Sequence, residues 1–175
     1  AAALKVGSQR VLVGPGTYTL PLPCVAIGRA VELKSLEGPE KTILDSPKTI
    51  TDCVHRHFTV YNDKAVVSGF ALTGGYSSSA ILANYAAVLD LGAGTVENCI
   101  IRDTGRLSAG QVVNLWGSGK LVGCELDGRG LDVHDYSYTG TAAIYLTGAS
   151  CVVDGCWIHG YQIRGNCDNK TTFTY

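Results

Sequence analysis

The sequence predicts an all-β solenoid: one domain over residues 1–175, built from roughly six coils. Three observations carry the prediction. A unit of about 25 residues repeats along the chain. Apolar and polar residues alternate inside its short runs, and a glycine or asparagine stands at the same place in every unit.

The repeat is seen in four segments: "VVSGFALTG" from Val66, "TVENCIIRD" from Thr95, "KLVGCELDG" from Lys120 and "VVDGCWIHG" from Val152. Phe70, Cys99, Cys124 and Cys156 anchor them at intervals of 29, 25 and 32 residues. Upstream of the anchors, "HFTVYND", "AAVLDLGAG", "QVVNLWGSG" and "AAIYLTGAS" supply a second strand, whose last inward residues are Val60, Leu91, Leu115 and Leu146. Earlier still, "TILDS" around Ile43 falls 27 residues before Phe70. The end, "NCDNKTTFTY", reads as one more strand, because Thr and aromatic residues favour a pleated surface.

Alternation assigns these runs as strands. Inward Cys99 and Ile101 flank outward Ile100, and inward Cys124 and Leu126 flank outward Glu125. No run has the length or the 3.6-residue period of a helix. Gly69, Asn98, Gly123 and Gly155 precede the anchors, and these residue types tolerate positive φ, so a sharp corner is expected at each. One coil cannot bury its own inward side chains, so like residues stack between coils. Phe70, Cys99, Cys124 and Cys156 are therefore a core ladder, and the thiols read as buried and inert. A metal site built from cysteines is not expected, since Cys151 and Cys156 are five apart instead of three.

The repeats resemble those of right-handed parallel β-helix proteins, the pectate-lyase-like superfamily, and above all its bacterial secreted and surface members. "VLVGPGTYTL" from Val11 is similar to the first coil of that group, "LEGPEKTILDS" from Leu36 to its second and "VENCII" to an ordinary rung. The resemblance implies the fold strongly and the activity weakly, because many activities share this scaffold.

Composition narrows the function. Lys plus Arg number 14 and Asp plus Glu 15, a net charge of -1, so no basic surface for nucleic acid is expected. Hydrophobic residues are 46% and mean hydropathy is +0.15, which a disordered chain would not show. No apolar run approaches the roughly 18 residues of a membrane-spanning helix, so no membrane insertion is expected. Glycine is abundant, 22 residues, which implies frequent tight turns. Methionine is absent and the seven cysteines are an odd number. These features, with the Ala1-Ala2-Ala3 start, suggest a processed product or part of a longer chain, extracellular or at the cell surface.

Enzymes of the resembled superfamily carry charged side chains outside the first strand of successive coils. Here that column is Thr59, Asp90, Asn114 and Tyr145, and one carboxylate cannot supply an acid and base pair. The signature motifs of pectin hydrolases and the paired arginines of pectate lyases are absent, so no catalytic residue is carried over. A second outward column holds Thr73, Arg102, Asp127 and His159, with Asp103 beside it, and reads as a ladder of alternating charge. His55, Arg56 and His57 read as a surface loop. The candidate ligand-binding residues are Tyr61, Asp90, Asn114, Trp116 and Tyr145, where rings and polar groups suit sugar, together with Asp132, His134 and Asp135 in the longest insertion. No cofactor and no metal are expected.

The sequence thus favours a non-catalytic structural or adhesive module that self-associates end to end, into filaments if the contact does not close. The alternative is a polysaccharide-acting enzyme, a polyuronate lyase or glycoside hydrolase, or a carbohydrate-binding module.

Overall fold

Apolar runs of three to five residues interrupted by turns cannot form long ladders within themselves, so each run pairs with its counterpart in the next coil. The computed structural model describes residues 9–20, 24–46, 56–75, 88–104, 111–128, 142–148, 150–160, 162–165 and 172–174. Among these every regular element is a strand. In chain order they are β1 (Arg10–Val13), β2 (Gly16–Thr19), β3 (Val25–Ile27), β4 (Glu32–Ser35), β5 (Thr42–Ser46), β6 (Phe58–Val60), β7 (Val66–Ser68), β8 (Ala71–Gly74) and β9 (Leu89–Leu91). There follow β10 (Thr95–Glu97), β11 (Ile100–Arg102), β12 (Gln111–Leu115), β13 (Lys120–Val122), β14 (Glu125–Asp127), β15 (Ala142–Leu146), β16 (Val152–Asp154), β17 (Trp157–His159), β18 (Gln162–Gly165) and β19 (Thr172–Thr174).

Every third strand joins the same sheet. Sheet A holds seven strands, β1-β4-β7-β10-β13-β16-β19; sheet B holds six, β2 to β17 in steps of three; sheet C holds six, β3 to β18 likewise. All pairings are parallel, and the protein is a parallel β-solenoid of three stacked sheets.

Register puts like on like. In sheet A, Val11, Leu33, Val67, Val96, Leu121 and Val153 form one inward row. In sheet C, Ile27, Val60, Leu91, Leu115 and Leu146 form another. Both rows are buried, as are Leu44, Leu72, Ile101 and Leu126 of sheet B. Each such side chain contributes about 1.5 to 3 kcal/mol by leaving water.

Between sheets A and B the chain turns at Gly69, Asn98, Gly123 and Gly155, with φ of 79°, 51°, 56° and 58°. Their N–H groups continue the ladder: Gly69 donates to Glu97 O, Asn98 to Val122 O and Gly123 to Asp154 O. The side chain of Asn98 lies against the next corner, where a Cβ on Gly123 would sit 3.0 Å from Asn98 Oδ1. Phe70, Cys99 and Cys124 are buried just inside these corners, whereas Cys156 is half-buried. Cys156 was expected in the interior with the others; it stands before β17, the last strand of sheet B, so no described strand of that sheet covers it. Cys24, Cys99, Cys124 and Cys156 are free thiols. A hydrogen bond with Cys124 brings the Cys156 thiol down to about 7, and the same contact, with that to Cys99 and burial, pushes Cys124 up.

Two further expectations are corrected. Ile43 pairs with Ala71, so the residue in step with Phe70 is Thr42, one place earlier than the sequence alignment puts it. Thr42 is fully buried and accepts a 2.7 Å hydrogen bond from Ser35 Oγ, a polar pair that an apolar pattern overlooks. Arg56 and His57 are buried instead of lying on a surface loop; His55 is outside the described residues. The Nε2 of His57 lies 3.0 Å from Leu44 O and 2.9 Å from Thr73 O, so its proton ties two neighbouring coils of sheet B together. Among the described residues Nδ1 has no partner, which fits a neutral ring with its proton on Nε2. Burial pushes the His57 pKa down to about 4 against the pull of the two carbonyls and of Asp45.

At Asn98, Asn98→Gly should be nearly neutral, while Asn98→Val should cost on the order of 1 to 2 kcal/mol in denaturant unfolding, because a β-branched residue resists positive φ. Equal midpoints for the two variants would contradict the corner assignment. His57 sets a pH dependence. Above pH 6.5 it is neutral in both the folded and unfolded chain; below, the unfolded chain takes a proton that the folded one refuses until about pH 4. Stability should therefore fall by about 3 kcal/mol across that window. A His57→Gln variant, less stable at neutral pH, should lose this part of the slope, and parallel profiles for the two proteins would show otherwise.

Candidate functional site

Outward positions of sheet C gather the polar residues that the sequence singles out. Register aligns Thr59 with Asp90, Asp90 with Asn114 and Asn114 with Tyr145. Asp90 is the hub. Its Oδ1 accepts from Asn114 Nδ2 at 3.0 Å and from Trp116 Nε1 at 2.8 Å, and its Oδ2 accepts from Arg56 Nη1 at 2.7 Å. The Arg56 and Asp90 side chains are 9% and 16% exposed, so the pair is largely withdrawn from water. Both oxygens of this carboxylate thus accept hydrogen bonds.

The residues just after the inward row explain the rings. Along the stack they are Gly28, Tyr61, Gly92, Trp116 and Thr147. A Cβ on Gly92 would come within 2.4 Å of the Trp116 ring, and one on Gly28 within 2.4 Å of the Tyr61 ring. Each ring therefore lies over a glycine of the preceding coil, which only the missing side chain permits. Tyr61 and Trp116 remain 53% and 40% exposed, so both present aromatic surface to solvent, Trp116 beside Asp90. Asn114 Oδ1 is buried without a hydrogen-bond partner among the described residues.

Sheet B carries a separate group. Glu125 and Asp127 project from one face of β14, and His159 on β17 stands opposite Asp127. His159 Nε2 is 3.0 Å from Glu125 Oε1, and Nδ1 is 3.2 Å from Asp127 Oδ1. Arg102, in the same outward column, lies 3.9 Å from exposed Glu40, a weak pairing. Within the column Asp127 and His159 are brought together, and His159 also reaches Glu125, which was read only as an outward strand residue. The repeat interval contained the clue: Cys124 and Cys156, like Asp127 and His159, are 32 residues apart.

Asp132, His134 and Asp135 lie outside the described residues. Arg56 was missed as the partner of Asp90, because a basic residue flanked by two histidines reads as solvated surface. No family model, curated protein or solved structure matches the chain.

Breaking the buried pair from one side should cost more than removing it whole. Arg56→Met should destabilise by about 3 kcal/mol, and adding Asp90→Asn should restore part of that loss, since an unpaired buried charge is the larger penalty. Strictly additive losses in urea unfolding would refute this coupling.

Proposed function

We propose that the chain is a non-catalytic structural and adhesive module of the pectate-lyase-like β-helix kind, extracellular or at the cell surface, which associates end to end. The observation that carries this reading is the engagement of Asp90. Among the described residues it is the sole carboxylate of the outward sheet C column, and donors from Arg56, Asn114 and Trp116 engage both its oxygens. Glycoside hydrolysis needs a second carboxyl group facing the first, and the column offers none.

End-to-end contact is supported by the open edges of the sheets. Among the described residues β1, β2 and β3 begin the three sheets and β19, β17 and β18 end them, each with one unpaired edge. A second copy would continue all three ladders in the same direction, a head-to-tail contact that propagates. At the first end, a cavity of about 570 Å³ is lined largely by apolar side chains, among them Val11, Leu20, Val25, Leu33, Leu44 and Phe58. The exposed Tyr61 and Trp116 rings suit stacking on polysaccharide, which makes that the preferred adhesive ligand.

Sedimentation velocity over a concentration series tests the association, with a polyuronate panel assayed in parallel for unsaturated products and reducing ends. Concentration-dependent oligomers that shorten when residues 166–175 are deleted, with no product, are expected. A monodisperse monomer at high concentration would end the assembly reading. Product formation abolished by Asp90→Ala would end the non-catalytic one.

A further inference from the structure

We propose that Glu125, Asp127 and His159 form a divalent-cation site on the outer face of sheet B. This site stands apart from the adhesive reading and survives its failure. It is built by register. Residues two apart on β14 point the same way, and the pairing of Asp127 with His159 carries the imidazole across to both carboxylates. One nitrogen of His159 and one oxygen from each carboxylate all lie within 4.8 Å of one another. Ligands that share an ion through bonds of about 2.1 Å are at most about 4.2 Å apart, so the set must draw together around one ring nitrogen, with His159 giving up the carboxylate contact of the other.

The donor chemistry selects the ion. One imidazole nitrogen with two carboxylate oxygens suits Zn²⁺ or Mn²⁺, and three protein ligands leave a position open for water or an external oxygen ligand. The side chains of His159, Glu125 and Asp127 are 16%, 27% and 19% exposed, so the charges are partly withdrawn from screening. Two carboxylates on one strand face repel each other. A dication held between them offsets both charges. The Trp157 ring, with its centroid 4.4 Å from that of His159, packs beside the imidazole and limits its rotation.

The test is titration of the whole chain, freed of metal by chelator, with Mn²⁺, reading the loss of the free-ion electron paramagnetic resonance signal. Mn²⁺ is the probe because it prefers oxygen and nitrogen donors and avoids the thiols. One equivalent should bind and be displaced by Zn²⁺. Glu125→Gln and His159→Gln should each weaken binding by roughly tenfold or more. Glu37→Gln, an exposed carboxylate elsewhere, should leave it unchanged. Because Glu125→Gln preserves side-chain shape, it still decides the matter if His159→Gln unfolds. Absence of binding up to millimolar Mn²⁺ would mean that the three groups are an ion-pair cluster only and would overturn the proposal. So would equal affinity in the Glu125→Gln and unaltered proteins.

Discussion

Everything in this molecule depends on one alignment: each coil must land with its inward residues directly above those of the coil before. Parallel pairing sets that alignment, and a slip of one residue would turn the row Ile27, Val60, Leu91, Leu115 and Leu146 outward and drive charged neighbours such as Asp90 into the core. The coil is a poor structure alone, because strands of three to five residues bury little by themselves. Stacking converts the repeats into continuous apolar rows, and the energy lies in the contacts between coils.

The corners make the alignment possible. A column of positive-φ residues at Gly69, Asn98, Gly123 and Gly155 turns the backbone by the same route each time, so the strands that leave one corner are already in step. Buried polar groups add specificity that apolar rows lack. The proton of His57 joins carbonyls of two adjacent coils, and Ser35 with Thr42 fixes the second coil at the place where later coils carry Phe or Cys. Such groups must be partnered to be tolerated in a low-dielectric interior, and the partners exist in one register only.

The same alignment decides the chemistry of the outside. A solenoid turns residues that are 24 to 35 apart in sequence into direct neighbours, as Asp90 with Asn114 and Arg56 show on sheet C and Glu125 with His159 on sheet B. On sheet C the carboxylate meets donors and is quenched, so the face is left with exposed rings over glycines. On sheet B two carboxylates meet a single imidazole. The two faces, though made by one repeat, therefore invite different ligands.

The all-β solenoid, its inward rows and the four corner positions were legible in the sequence, because period-2 alternation and positive-φ residue types are local properties that repetition amplifies. Even the neighbours in a column followed from the repeat interval. Three matters were not legible, and each has the same cause. The place of Thr42 depended on a hydroxyl partner in the preceding strand, the burial of Arg56 and His57 on acceptors at Asp90, Leu44 and Thr73, and the Glu125 cluster on the direction in which His159 leans across two strands. Apolar burial is a property of a residue and can be read one residue at a time. Polar burial is a property of a pair, and only the tertiary structure brings the pair together.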